Sequence, residues 1–190
     1  MTNLILASQS PRRLELLQAA GISVKVSPAH INESAHDGEN VQDLVLRLCQ
    51  EKAAACPDKN YENIIIAADT LVTLGGTILG QPKNFADAKS MLQTLSGKRH
   101  QVLTAVCVAH GEQQKTAVVQ TYVTFRTISE DEIDTYLAHN QILDKAGSYA
   151  IQGGASSFIT HIEGPLDNVI GLPVQQTLAL IQQLERSHEC

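Results

Sequence analysis

Asn3-Leu4-Ile5-Leu6-Ala7-Ser8-Gln9-Ser10-Pro11-Arg12-Arg13 passes from an apolar strand-like run, through a short polar turn, into a helical pattern. Ser10 fits the N-cap and Pro11 the first helical position, and Leu14, Leu17 and Gly21 follow the helical period. Arg12 and Arg13 then stand at the second and third positions, beside unpaired backbone N–H groups and the positive end of the helix dipole. Like charges gathered there repel unless an anion sits among them, so the stretch reads as a phosphate clamp. The plainer alternative is that both arginines point into water.

Outward from this unit, strands and helices alternate. A short strand is expected around 22–27, a helix near 40–55 and an apolar strand at 63–68. Residues 70–79 read as a hairpin turning at Gly75-Gly76, followed by a helix at 85–95 that ends by Gly97. Strands at 101–110 and 115–126 flank Gly111, and Ser129 with Glu132 forms a capping box for a helix at 130–138. The Gly-, Ser- and Asp-rich stretch 144–171 holds one strand near 157–162, and an amphipathic helix closes the chain at 173–186. Early alternation and a hairpin-rich middle favour an α/β fold with a mixed sheet and flanking helices over a doubly wound parallel one.

The 190 residues suffice for one α/β domain or two small lobes, and 43% hydrophobic with 18% charged content fits a globular core. A net charge of −6 and a pI near 5.6 argue against a general nucleic-acid or anionic-membrane surface. Any anion site must be local. No stretch approaches a transmembrane length and no secretion signal is visible, so a cytoplasmic location is expected. Cys49, Cys56, Cys107 and Cys190 form no CxxC pair and no zinc-like cluster with the seven scattered histidines; free thiols in a reducing compartment are expected.

Four further places carry candidate chemistry. Asp69 follows the fully apolar run Ile64-Ile65-Ile66-Ala67-Ala68, where a carboxylate must be paired, bind a metal or open into a ligand site. A turn-forming aspartate is the alternative, disfavoured because Thr70-Leu71-Val72 continues the strand pattern. Lys52 falls on the apolar stripe of Val41, Leu44, Val45 and Leu48, so it either snorkels or reaches an anion. Glu33, in a polar segment, is a surface carboxylate by default, yet with Asp69 it could offer hard oxygen ligands to Mg²⁺ or Mn²⁺. Asp144-Lys145-Ala146-Gly147-Ser148-Tyr149-Ala150-Ile151-Gln152-Gly153-Gly154 reads equally as a ligand loop, with Gln152 able to read a base edge, or as a flexible surface loop.

Together these segments resemble the Maf family of nucleotide pyrophosphatases. The resemblance is carried by Leu6-Ala7-Ser8-Gln9-Ser10-Pro11-Arg12-Arg13, Glu33, Glu51-Lys52-Ala53 and Ala68-Asp69-Thr70-Leu71-Val72. Leu95-Ser96-Gly97, Val123-Thr124-Phe125-Arg126, Asp144-Lys145-Ala146-Gly147, Ile151-Gln152-Gly153 and Val169-Ile170-Gly171-Leu172-Pro173 continue it, from about residue 4 to 183. It implies a single domain over 1–190, two-lobed and similar to inosine triphosphate pyrophosphatases, with a nucleotide in a central cleft. It also implies a homodimer and cleavage of a nucleoside triphosphate between the α and β phosphates with a divalent cation. By the same resemblance Asp69 is the proton acceptor and shares the metal with Glu33, and Ser8, Arg13 and Lys52 line the phosphate site. Arg12, Thr70 and Gln152 match the branch that acts on dTTP, UTP and modified pyrimidine triphosphates.

One departure stands out: this chain reads Gly80-Gln81-Pro82-Lys83 where the family usually has Gly-Lys-Pro or Glu-Lys-Pro. The missing cation at Gln81 would favour a second reading, a nucleotide-binding regulator of septum formation and division with little turnover. An RNA-binding module, the third class, lacks the basic face and stacking aromatics it would need.

Overall fold

In the computed structural model, which describes residues 3–188, the elements alternate as the sequence predicts. They are β1 (Asn3–Leu6), α1 (Pro11–Ala19), β2 (Lys25–Val26), α2 (Val41–Ala54), β3 (Asn63–Leu74), β4 (Thr77–Leu79) and α3 (Phe85–Leu95). Then come β5 (Arg99–His110), β6 (Gln113–Phe125), α4 (Glu130–His139), β7 (Ile159–Glu163), α5 (Leu166–Ile170) and α6 (Val174–His188). The strands form a 7-stranded sheet in the order β2-β1-β3-β5-β6-β7, with β4 paired to β3. β1 is parallel to both β2 and β3, while β3–β4 and β6–β7 are antiparallel, so the sheet is mixed.

The described chain divides into two compact units. The first comprises the chain up to Asp69, Thr104–Val119 and the chain from Gly171 onward; the second comprises Thr70–Leu103 and Gln120–Ile170. In the first, Leu4 and Leu6 pair in register with Ile64 and Ile66. They share a core with Ala68, Val106, Val108, Leu17 of α1 and Leu180, Ile181 and Leu184 of α6. The two-residue period of a strand sends Ile65, Ala67 and Asp69 to the opposite face. In the second unit, α3 and α4 pack Leu92, Leu95, Ile133 and Leu137 against Val72, Val102, Val123 and Phe125.

Local chemistry sets the helix ends. Asn40 accepts from the N–H groups of Gln42 and Asp43 at the start of α2, and Asn84 from that of Asp87 at the start of α3. The predicted capping box of Ser129 and Glu132 is formed. Ser10 occupies the N-cap of α1 but its hydroxyl makes no capping bond; Ser8 Oγ accepts the Ser10 N–H instead, at 3.2 Å. That early turn also ends β1 at Leu6 rather than Ser8. β2 is shorter than expected because only Lys25 and Val26 find partners on β1.

Two stretches settle alternatives that the sequence left open. β3 runs unbroken through Asp69 to Leu74, so the aspartate terminates nothing. Residues 146–158 are no flexible surface loop: three 3₁₀ turns bury Gly147, Ser148, Tyr149, Ala155 and Phe158. Cys49, Cys56 and Cys107 are buried free thiols, and Cys190 lies outside the described residues.

Gly147 has φ +67°, and a Cβ there would meet three carbons of Val72 at 3.1 Å. Gly147→Ala is therefore expected to lose about 1–3 kcal/mol through backbone strain and overpacking, read as a lower urea midpoint. His100, 1% exposed and bonded through Nε2 to Tyr149 Oη at 2.8 Å, has its pKa lowered by burial to about 4. The folded ring stays neutral while the unfolded one takes a proton below about 6.5, so His100 contributes stability that is lost as pH falls from there toward 4. The full loss is about 3 kcal/mol. His100→Phe should remove that part of the slope when urea midpoints are compared between about pH 7 and 4.5.

Candidate active site

Burying the run Ile64 to Ala68 at 1% exposure or less leaves the next residue of the strand equally enclosed, and Asp69 is only 6% exposed. A carboxylate so placed needs a cation. Lys52 supplies it, with Nζ 2.5 Å from Asp69 Oδ1. The lysine sits on the apolar stripe of α2 with Leu44, Val45 and Leu48, all buried, and its own side chain is 12% exposed. It does not snorkel; the anion it reaches is Asp69. The same Nζ lies 2.8 Å from Glu33 Oε1, so one ammonium draws two carboxylates together.

Arg13, on the first turn of α1, completes the cluster. Its Nε donates to the carbonyl of Gly171 at 2.7 Å and its Nη1 to Ser8 Oγ at 3.1 Å. Burial pulls the Arg13 pKa below its ordinary value; Asp69 opposes that shift, Arg12 adds to it and Glu33 opposes it. Arg13 is thus within electrostatic reach of both carboxylates and of Arg12, and the two arginines do not simply face water. Burial pushes the Asp69 carboxyl above the usual carboxylate range, while Lys52 and, less strongly, Arg13 act to hold it charged.

Ser8, Arg13, Glu33, Lys52 and Asp69 are therefore one constellation within the first unit. Thr70 and Gln152 belong to the second: Thr70 follows Asp69 on β3, half-buried, and Gln152 is exposed in the 3₁₀ turn Ile151–Gly153. In that unit Gln81 and Lys83 are both exposed, with Gln81 Nε2 3.5 Å from the Asp144 carbonyl and the Lys83 N–H on Asp87. Lys145 lies close by, paired to Asp144.

Among the described residues no three His, Cys, Asp or Glu side chains gather as a metal site. Two carboxylates converging on one cation nevertheless suit Mg²⁺ or Mn²⁺, which are commonly held by one or two carboxylates together with substrate phosphates. Glu33 and Asp69 fit that donor set.

Sequence comparison decides the family. The pattern described as Maf-like protein matches residues 3–184. The chain belongs to the Maf family. A relative from Anaeromyxobacter dehalogenans (strain 2CP-1 / ATCC BAA-258), named dTTP/UTP pyrophosphatase, is 46% identical over 184 residues, covering 95% of this chain and 93% of its own. Another of that name, from Bacillus cereus (strain ZK / E33L), is 43% identical over 183 residues, covering 96% of each chain. Among solved structures, a HAM1 protein from Coxiella burnetii aligns with a TM-score of 0.49 at 14% identity, over 100% of this chain and 99% of that one.

One contact of this cluster carries no sequence signal, and a second carries only an indirect one. The Gly171 carbonyl is a backbone acceptor 158 positions from Arg13, invisible to side-chain reading. The direct Lys52–Asp69 pair joins a helix to a strand, and only the anomaly of each residue in its apolar run hinted at it.

Lys52→Met should leave Asp69 buried without its partner and destabilise the protein by about 3–5 kcal/mol, less where Asp69 picks up a proton. Protonation relieves the defect, so the deficit in urea unfolding should be smaller at about pH 5 than at about pH 8. Adding Asp69→Asn should recover part of it. A Lys52→Met protein as stable as the parent at both pH values would mean that the pair does not hold the buried charge.

Proposed function

We propose that this chain hydrolyses pyrimidine nucleoside triphosphates, dTTP and UTP foremost and modified UTP or CTP with them, to the monophosphate and pyrophosphate, cleansing the nucleotide pool. The observation that carries this reading is the buried Asp69, held by Lys52 beside Glu33 and Arg13. Two relatives that match nearly the whole chain bear the name dTTP/UTP pyrophosphatase, which supports it.

Anhydride hydrolysis asks a protein chiefly for positioning and charge neutralisation, with a base for the attacking water. Arg13 and Lys52 take the phosphate chain, and Ser8, beside it, holds the Arg13 guanidinium to the turn. Asp69 accepts a proton from water as the water oxygen bonds to the α phosphorus. The bond from that phosphorus to the oxygen bridging to the β phosphate breaks, and its electron pair leaves with pyrophosphate. A carboxylate whose burial raises its proton affinity is a better acceptor than an exposed one. Glu33 and Asp69 would hold a divalent cation, which when bound neutralises phosphate charge.

Thr70, Gln152 and Arg12 are assigned to base choice. Gln152 offers both a donor and an acceptor and so matches the N3–H and carbonyls of uracil or thymine; a carboxylate could only accept. Where a bound base shields such groups from water, one that leaves them unpaired loses about 1–3 kcal/mol for each group so buried. The buried free thiols suit the reducing cytosol, and among the described residues no helix is long and apolar enough to cross a membrane. Assembly as a homodimer without nucleic acid belongs to the same proposal.

One assay tests the reading and its rival, the regulator with little turnover. Pyrophosphate release from a panel of triphosphates with Mg²⁺ or Mn²⁺ should show kcat/KM for dTTP and UTP at least ~10-fold above purine triphosphates. Asp69→Asn should lower turnover by at least ~10²-fold, and Gln152→Glu should erode the pyrimidine preference. Equal hydrolysis of GTP and dTTP would remove Gln152 from its role, and more than about half the parent rate in Asp69→Asn would remove Asp69 from its own.

A further inference from the structure

Glu33 stands on a stretch in which, from Ser27 to Asn40, the chain forms neither helix nor strand. Its side chain is 47% exposed, yet its carboxylate lies 2.8 Å from Lys52 Nζ. A half-exposed side chain on irregular backbone keeps such a position only if the backbone beside it is fixed from elsewhere. Local turns contribute little: the Ser34 N–H bonds Asn32 Oδ1 and the His36 N–H bonds Glu39 Oε2, both within the stretch itself.

Ser27 at the start of the stretch is tied to Leu6 of β1, and beyond Glu33 the tie to a rigid element comes from Arg47 on α2. Its Nη2 donates to the carbonyl of Ser34, the residue after Glu33, at 3.0 Å. Its Nε and Nη2 grip both oxygens of Glu39 at 2.7 and 2.8 Å, at the far end of the stretch. Its Nη1 returns to Glu51, one turn along its own helix, at 3.1 Å. The grip is strong enough that the Glu39 carboxyl is pulled down to about 2, chiefly by Arg47. Lys52 follows Glu51 on that helix, so the fork that fixes the Glu33 backbone and the ammonium that meets the Glu33 carboxylate are mounted on one support.

We propose that Arg47 is a positioning residue for the reaction, fixing the Glu33 loop on α2 so that Glu33 stands at Lys52 and Asp69; this rests on the place given to Glu33 under the proposed function. An ordinary i,i+4 pair with Glu51 would need only charge. The contacts to Ser34 and to both Glu39 oxygens need a planar fork, which lysine cannot supply.

The test is a double-mutant cycle in pyrophosphate release from dTTP, with Arg47→Met and Arg47→Lys made in the parent and in Glu33→Gln. Both Arg47 variants should lose at least ~10-fold in kcat/KM in the parent and less than ~2-fold in Glu33→Gln, since the loop then has no carboxylate to place. Amide hydrogen exchange, independent of turnover, should quicken at Ser34 to Glu39 and stay unchanged in β1 and β3. Glu39→Gln is the milder variant should Arg47→Met fold poorly, and it should move exchange and rate the same way. Losses equal in both backgrounds, or exchange unchanged at Ser34 to Glu39, overturn the role of Arg47 alone. Full activity in Glu33→Gln overturns the placement of Glu33 and the role of Arg47 with it.

Discussion

The ion pair between Lys52 and Asp69 constrains the first unit more tightly than its apolar contacts do. Hydrophobic faces tolerate slippage, because one aliphatic side chain replaces another at modest cost. A buried carboxylate does not. Slide α2 by one turn and Leu48 would approach Asp69 in place of Lys52, leaving a charge unpaired at a cost of several kcal/mol. Shift β3 by one residue and Asp69 would turn to the face that Leu17, Leu180 and Leu184 occupy. The pair therefore sets the register of helix and strand together, and the β1–β3 pairing of Leu4 with Ile64 and Leu6 with Ile66 agrees with it.

Around that pair the charges are locally positive in a chain that is not. Arg12, Arg13 and Lys52 against Glu33 and Asp69 make 3 − 2 = +1, while the whole sequence carries −6. Such a focus attracts a multiply charged anion without making the surface generally adhesive to nucleic acid. The helix start adds to it. The positive end of the α1 dipole lies beside Arg12 and Arg13, and the Ser10 hydroxyl does not cap it as Asn40 and Asn84 cap α2 and α3.

What could be read from the amino acids follows from where the information resides. The strand–turn–helix of residues 3–19, Asp69 in its apolar run, Lys52 on its apolar stripe and the capping box at Ser129 are each local contradictions or local patterns, and all were legible. The bond from Arg13 to the Gly171 carbonyl was not, because any residue offers a carbonyl. The Arg47 fork was hidden because its i,i+4 relation to Glu51 already accounts for an arginine there. Residues 144–154 stayed undecided by composition: glycine and serine are common in loose loops, but here Gly147 at φ +67° and Ser148 at φ +63° are consecutive left-handed residues in a buried turn. Only the packing of Gly147 on Val72 distinguishes the two cases.

The resting cluster also bears on how a divalent cation could be held. Lys52, Glu33 and Asp69 sum to one negative charge, and Lys52 occupies one oxygen of each carboxylate. Two carboxylates alone, without an ammonium among them, would repel each other and raise the proton affinity of one. With Lys52 between them that repulsion is offset. The lysine thus serves the carboxylates as a spacer as well as a counter-ion, holding both at one place. If the two carboxylates hold a divalent cation as proposed, a phosphate chain would supply the remaining hard donors, which would tie metal binding to substrate binding.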